Sequence, residues 1–526
     1  MFLIMSAAYI EQELRAEFGH IPPTFLPLGN RRLFQHQINL VPDGKKIYMS
    51  IPESFQVSQV DKDWLNNKKV TVIPIPDNLE LGASLVAVLN LIEEPLDRFL
   101  HVLFGDTLLQ HLPQGDDVIA ISGAVDSYDW AYISNNEQNL FKDVGNDFNS
   151  KHHIVSGYFK FSQIKKIIRC ITLHKWNFLD GVNAYHQDVG LSVVKAKGWL
   201  DFGHVNTYYR SKAEFTTQRA FNDLIINPNW IEKSSYKKEK IQAEAHWFDS
   251  IPPMLRSFTP QYLGDLDVND NFSYRLEYLH HTSLNELFVF AEISSAVWTQ
   301  IISSALCFID ACTEYLKPNN DSSSNLNELF NQKTESRVNQ YCCSRNYDRH
   351  KQWNYNGMEL SLDFLINQSE LFLPKKNVTS TVMHGDFCFS NILYDFRINK
   401  IKTIDPRGLT FDNTLTIYGD FRYDLAKLSH SILGMYDWII AGYYDVNISD
   451  DNIDFHVFGL KKHKEIQQIF IKLVEEKYGL TATNLYAMQI QLFLSMLPLH
   501  ADEPKRQDAL MANAFRLYEK MIGCEQ

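Results

Sequence analysis

Residues 381–394 read TVMHGDFCFSNILY, from Thr381 to Tyr394. Two apolar runs flank a turn built on Gly385 and Asp386, and Asn391 follows that aspartate by five residues. Eleven residues beyond Tyr394, the run IKTIDPRG sets Asp405 at the end of a second β-rich segment, directly before Pro406, Arg407 and Gly408. Taken singly, each polar residue has an ordinary reading: Asp386 as a helix cap, Asn391 in a turn, Asp405 at the start of a Pro-Gly turn. The three at this spacing on one loop-strand unit point elsewhere.

Phosphoryl transfer leaves a protein little covalent work, so the protein must position an acceptor hydroxyl and neutralise charge on the phosphates. In such a site Asp386 accepts the proton of the attacking hydroxyl. Asn391 ligates magnesium through its amide oxygen, and Asp405 holds the same or a second magnesium bridging the ATP phosphates. His384 is expected to support the loop through hydrogen bonds, because a positioned aspartate already fills the base role.

This segment resembles the catalytic motif of the aminoglycoside phosphotransferase and choline kinase superfamily, and the resemblance extends over roughly residues 228–520. It implies a C-terminal bilobal α+β kinase-like domain at 226–526, with a small lobe at about 226–285 and a large lobe at about 286–526. It also implies ATP, Mg2+ and a small-molecule hydroxyl acceptor. On that resemblance Lys233 in IEKSS matches the nucleotide-binding lysine and Glu244 its ion-pair partner, with Lys237, Lys238 and Lys240 as nearby competitors. Ser273–Leu284 (SYRLEYLHHTSL) resembles the strand and hinge that bind adenine, and Tyr418–Leu428 (YGDFRYDLAKL) a segment that packs an aspartate, Asp420 or Asp424, beneath the catalytic loop. Pro406 departs from the Asp-Phe-Gly pattern of protein kinases. The aromatic run Tyr436–Tyr444 (YDWIIAGYY) reads either as a cage for a quaternary ammonium or as helix core.

From residue 1 to about 220, short β-rich runs (Lys69–Ile75, His101–Leu103, Asp117–Ser122) alternate with helix-like segments such as Gly82–Ile92. That alternation indicates an α/β sheet, at least partly parallel. Phe104-Gly105-Asp106-Thr107 and Gly198–Lys212 (GWLDFGHVNTYYRSK) resemble motifs of sugar-phosphate nucleotidyltransferases. The resemblance implies a Rossmann-like, GT-A-like domain at 1–225 in which Asp106 and Asp201 share one magnesium beside CTP or another NTP. Two departures stand against it. Ser6–Glu11 (SAAYIE) replaces the glycine-rich phosphate loop, and Thr24 stands where the family carries a lysine; Arg15, Arg31 or Arg32 are the candidate substitutes. Gly82-Ala83-Ser84 resembles the loop near the base, and Gly157–Ser162 (GYFKFS) the strand near the sugar phosphate. Three readings remain for this half: an active nucleotidyltransferase with a divergent loop, a degenerate sugar-nucleotide or sugar-phosphate binder, or a structural α/β domain.

The wider composition fits a two-module enzyme. The 526 residues are 45% hydrophobic and 21% charged, enough to build large cores. A formal net charge of −13 gives no electrostatic footprint for nucleic acid or an anionic membrane. Seven cysteines without zinc-type CxxC spacing read as reduced thiols, and Met1–Tyr9 reads as a buried strand rather than a signal peptide. Leu284–Ala311, interrupted by Glu286, Glu292 and Gln300, reads as a buried helix rather than a membrane span, so a cytoplasmic location is expected. A domain boundary is placed near Asn227–Trp230, and Lys317–Asn325 (KPNNDSSSN) reads as a surface loop. Joined on one chain, a kinase and a nucleotidyltransferase would carry out consecutive activation steps on a sugar, polyol or amino alcohol, and the pairing resembles bacterial surface-polysaccharide biosynthesis proteins. A binding or scaffold protein is the rival reading; the intact Asp386, Asn391 and Asp405 count against it.

Overall fold

The apolar Phe2–Met5, all four residues buried, forms the strand from which the first sheet grows. In this computed structural model every residue is described except 94, 96–98, 124–130, 134–139, 143–152, 218–223, 228, 236–237, 269–270, 319–322, 325, 411–412 and 525–526. The chain divides into two compact units, Met1–Thr216 and Thr217–Gln526.

The first unit is a mixed α/β sheet dominated by parallel pairs. Its main path runs Ser192–Lys195, Val118–Gly123, His153–Phe161, Leu100–Phe104, Phe2–Met5, Ile47–Pro52 and Val70–Ile75. Four of the six neighbouring pairs on that path are parallel; His153–Phe161 runs antiparallel to both its neighbours. Continuous apolar strands need cover on both faces. One face packs Leu3, Val102 and Phe159 against Leu85, Val88, Ile171, Val182 and Tyr185 from the helices Leu81–Leu91, Ile164–Leu173 and Phe178–Val189. Each such fully buried side chain contributes about 1.5–3 kcal/mol, an upper figure because the unfolded chain already hides some surface.

The parallel register decides where chemistry can sit. Met5 pairs with Phe104, so the loop after the first strand and the Gly105-Asp106 turn emerge side by side at the carboxyl ends of their strands. In open α/β sheets that end is where ligands bind.

The second unit begins with an antiparallel sheet in the order Leu224–Ile226, Trp230–Ser234, Asn271–Glu277 and Tyr262–Val268. The helix Lys238–Ser250 buries Ile241, Trp247 and Phe248. Below lies a large helical part containing Ser295–Thr313, Leu326–Arg345, Phe421–Ile432, Leu460–Tyr478, Ala482–Met496 and Pro504–Gly523. A short hairpin, Ile392–Asp395 with Lys400–Thr403, carries the residues on either side of Asn391 and Asp405.

One expectation changes. Leu284–Ala311 is two helices, Leu284–Phe290 and Ser295–Thr313, because the backbone turns extended at Ala291. Ser295–Thr313 is long and apolar enough to cross a membrane by composition, yet Trp298, Ile301, Ile302, Ala305, Leu306, Phe308, Ile309 and Cys312 are buried inside this unit. The KPNNDSSSN run lies partly outside the described residues, and the start of the helix expected at Tyr236 does too. All seven cysteines are free.

Candidate active sites

In the second unit three residues far apart in sequence meet. Lys233 on the strand Trp230–Ser234 donates to Glu244 Oε2 at 2.6 Å and to Asp405 Oδ1 at 2.9 Å. Tyr274 also donates to Glu244 Oε2, at 2.7 Å, so the carboxylate that aligns the lysine is itself held. Gly408 permits the approach: a Cβ there would overlap the Ala243 carbonyl oxygen, and its φ is +62°. The Asp-Pro-Arg-Gly loop therefore closes onto the helix that carries Glu244.

Of the competing lysines, Lys240 alone among the described residues reaches Glu244, and more loosely than Lys233 does. Lys238 pairs with Asp267 at 3.0 Å, the exposed Lys240 stands 3.6 Å from Glu244 Oε1, and Lys237 lies outside the described residues. Asp405 has a left-handed backbone (φ 57°), a conformation Asp tolerates better than most residues but which still stores strain of about 1–3 kcal/mol. Such strain persists where the surroundings over-determine it.

The loop around Asp386 is fixed from below. Asp424 accepts from the backbone N–H groups of His384 and Gly385, both at 2.7 Å. Burial raises the Asp424 carboxyl to about 7, although those two donors oppose the rise. Asp420 instead caps its helix and pairs with Arg422. His384 donates through Nε2 to the Ile404 carbonyl at 2.9 Å and accepts at Nδ1 from Asp386 N–H at 3.3 Å, which requires a neutral ring. Burial accordingly lowers its pKa to about 4. His384 thus ties the Asp386 turn to the strand leading into Asp405, and Trp247 Nε1 donates to the Met383 carbonyl at 2.8 Å from the other side.

Asn391 donates through Nδ2 to the Asp386 carbonyl at 2.9 Å and to Asp386 Oδ2 at 3.2 Å. Its amide oxygen accepts only a long 3.3 Å bond from Ser390, leaving a hard oxygen lone pair for a cation. Asn391 N–H donates to the Cys388 carbonyl, and its own carbonyl accepts from Ile404 N–H at 2.9 Å, one residue before Asp405. An amide oxygen and a carboxylate are a donor set that fits magnesium completed by phosphate oxygens and water. Among the described residues no group of three or more His, Cys, Asp or Glu side chains could hold a metal unaided.

One participant was not anticipated. Lys427 pairs with Asp386 Oδ1 at 2.7 Å. Burial pushes the Asp386 carboxyl upward, but the Lys427 ammonium outweighs it and holds the group below the usual carboxylate range. Asp386 is therefore ionised at neutral pH. The position, seven residues after Asp420 on a helix beginning at Phe421, carries no signal in a single sequence. The aromatic run at 436–444 is chiefly core: Trp438, Tyr443 and Tyr444 are buried, and Trp438 packs against Gly459 and Tyr443.

In the first unit Asp106 and Asp201 come together. Asp201 pairs with Thr107 across the short ladder Leu200–Asp201 and Thr107–Leu108, and Phe202 N–H donates to the Asp106 carbonyl at 2.8 Å. A Cβ on Gly203 would lie 3.0 Å from Asp106 Oδ2 and 3.5 Å from Asp201 Oδ1, so the missing side chain leaves space that both carboxylates face. Burial, then the Asp201 charge, raises Asp106 to about 7. His204 Nδ1 stands 3.8 Å from Asp201 Oδ2. The turn is braced by Gln37, whose buried amide donates to the carbonyls of Phe104, Gly105 and Thr107 at 3.1, 3.0 and 2.9 Å.

The other residues named for this site are not brought to it. Gly82 lies in the first turn of the helix Leu81–Leu91 rather than in a loop, packed where a side chain would overlap the Trp176 carbonyl. Thr24 is buried, accepting no ligand-facing role: its N–H donates to Ser6 Oγ at 3.1 Å and its hydroxyl to Gln37. Arg32 donates to the Phe25 carbonyl at 2.8 Å and stands 3.5 Å from Asp61. Arg15 is exposed on the helix Gln12–Phe18, and Arg31 is exposed just before the helix Leu33–Ile38.

No family model matches the sequence, and no curated protein matches it. Among solved structures, the inositol-1-phosphate CTP transferase from T. maritima is 15% identical with a TM-score of 0.32, covering 42% of this chain and 97% of its own. A thermostable mutant of an aminoglycoside phosphotransferase is 11% identical with a TM-score of 0.33, covering 59% and 99%. A glucosamine kinase is 9% identical with a TM-score of 0.35, covering 57% and 74%. Similarity at that level is remote.

Proposed function

We propose that the second unit is an ATP- and magnesium-dependent small-molecule phosphotransferase. The observation that carries the reading is the meeting of Lys233, Glu244 and Asp405 across 172 residues of chain, beside an ionised Asp386 tethered to Asn391. Lys233, aligned by Glu244, grips the nucleotide phosphates; Asn391 and Asp405 offer oxygens to magnesium; Asp386 accepts the proton of the acceptor hydroxyl. Magnesium, when bound, neutralises charge on the phosphates.

The first unit acts on the phosphomonoester that such a kinase makes, joining it to a nucleotide with Asp106 and Asp201 as the cation ligands. The two units then activate a small sugar, polyol or amino alcohol of the kind that surface-glycan assembly consumes. A second reading of the first unit, sugar-nucleotide binding without turnover, is favoured by the engagement of Arg32 and Thr24 in internal bonds at positions where a triphosphate-gripping group was expected.

The test uses the full chain with ATP, magnesium and a panel of hydroxyl acceptors, read as ADP release and product mass. Asp386→Asn should bind magnesium-ATP as wild type does and lose transfer by about 10²–10⁴-fold, the usual worth of a positioned base. Asp405→Ala should lose magnesium-dependent ATP affinity. Unchanged turnover in the first variant, or unchanged affinity in the second, removes the assignment.

A further inference from the structure

Phe330, Lys333 and Arg337 fall at i, i+3 and i+7 on the helix Leu326–Arg345, and so share one face. Phe330 packs on the ring of Tyr423 with centroids 5.6 Å apart, which fixes that face over the helix Phe421–Ile432. One turn along, at i+4 from Tyr423, stands Lys427, bonded to Asp386. Arg407 arrives from the other side: its N–H donates to the His384 carbonyl at 2.9 Å, and its Cβ is 2.8 Å from where a Cβ on Gly385 would lie. Two helices and one loop thus bring four cationic side chains to the acceptor side of the catalytic turn.

Among the described residues the nearby carboxylates are mostly engaged. Asp386 serves Lys427; Asp424 is spent on the backbone of His384 and Gly385; Asp420 pairs with Arg422; Asp437, raised by burial to about 6, is influenced by Lys427 rather than paired with Lys333 or Arg407. Arg337 donates to the Ser495 carbonyl at 2.9 Å, a neutral partner. Among the described residues neither Lys333 nor Arg407 has an ion pair. The Tyr423 phenol acts to raise the Lys333 pKa, yet burial and the charges of Arg337, Arg407 and Lys427 outweigh it and depress the group. Burial and Arg407 likewise depress Arg337, against Tyr423. Half-buried cations that repel one another are held at a cost unless an anion joins them.

We propose that the acceptor of the second unit carries an anionic group, a carboxylate or a phosphate monoester, seated among Lys333, Arg337 and Arg407 while its hydroxyl lies at Asp386. This rests on the phosphotransferase reading and narrows its acceptor: an acidic sugar or hydroxy acid fits, and an amino alcohol does not. A cationic acceptor would meet four like charges, and Asp386, the carboxylate at the turn, is already paired with Lys427.

The test is calorimetric binding of two probes, inorganic phosphate and malonate, to the full chain, with and without saturating magnesium-ADP. Wild type is compared with Lys333→Gln, Arg407→Gln, the double variant, and the surface substitution Lys472→Gln as a control for loss of a lysine charge. At least one probe should bind the wild type and the Lys472→Gln chain alike, and weaken at least tenfold in the double variant. Phosphate preference indicates a phosphorylated acceptor and malonate preference a carboxylate. Absence of binding in both nucleotide states, or affinity unchanged in the double variant, overturns the proposal. Failure of magnesium-ADP itself to bind would instead count against the phosphotransferase reading, so the two failures are distinguishable.

Discussion

Asp386 and Lys427 form the pair on which the acid–base chemistry proposed for the second unit turns. A carboxylate half-enclosed by protein would ordinarily titrate high, and the ammonium at 2.7 Å reverses this. Lys427→Gln keeps much of the side-chain volume while removing the charge, so burial then acts unopposed and the carboxyl pKa rises. The acidic limb of the pH dependence of kcat/KM should move to higher pH in the variant, with the alkaline limb in place. A variant profile that overlays the wild type after scaling would show that Lys427 only packs. Lys427 was invisible in the sequence because nothing about a lysine in the middle of an amphipathic helix says which carboxylate it will meet. Asp386, Asn391 and Asp405 were legible because they are local: ten to twenty residues of chain hold the whole loop-strand unit.

At the scale of elements, the decisive contact is between the loop 405–408 and the helix Lys238–Ser250. Local sequence shows a Pro-Gly turn there; it does not show that the turn must lie against Ala243. Gly408→Ala introduces a Cβ at φ +62° against a backbone carbonyl, so the loop or the helix must move. That displacement separates Asp405 from Lys233 and Glu244. The variant should lose about 1–3 kcal/mol of stability, the usual range for strain of this kind. Its magnesium-ATP affinity should fall well beyond what a general loss of stability explains at a temperature where the chain remains folded. Thermal unfolding together with calorimetry decides it; native affinity in a folded variant would show that the close approach is incidental. The first unit gives the same lesson. Alternating β-rich and helical runs placed three of its strands, Val70–Ile75, Leu100–Phe104 and Val118–Gly123, within a residue, but Gln37, which braces the Gly105-Asp106 turn through three carbonyls, and Gly82, whose place is helix packing rather than a base-contacting loop, depend on tertiary neighbours that no spacing reveals.

At the scale of the whole molecule, each unit carries its own pair of metal-suited oxygens, and they differ in how they respond to pH. Asp106 is raised to about 7, first by burial and then by the Asp201 charge that faces it across Gly203. Its folded pKa lies above the 3.8 of an unfolded carboxylate, so the folded state binds the proton more tightly than the unfolded chain does. The stabilisation is complete near and below pH 3.8 and is lost progressively as pH rises through about 7. A cation held by the ionised pair, as proposed, would oppose this trend by displacing the proton. In metal-free buffer the full chain should therefore lose thermal stability between pH 5 and pH 8, and magnesium should restore more of it at pH 8 than at pH 5. Asp424, raised to about 7 in the second unit, contributes a trend of the same sign, so the informative quantity is the difference between wild type and Asp106→Asn. That substitution removes one titrating group and leaves Asp424 untouched. The variant should show a flatter pH dependence and a smaller gain from magnesium, while phosphotransfer by the second unit keeps its wild-type profile. Equal slopes and equal magnesium gains in the two proteins would mean that Asp106 and Asp201 do not share a cation, and the nucleotidyl-transfer role of the first unit would fall with them.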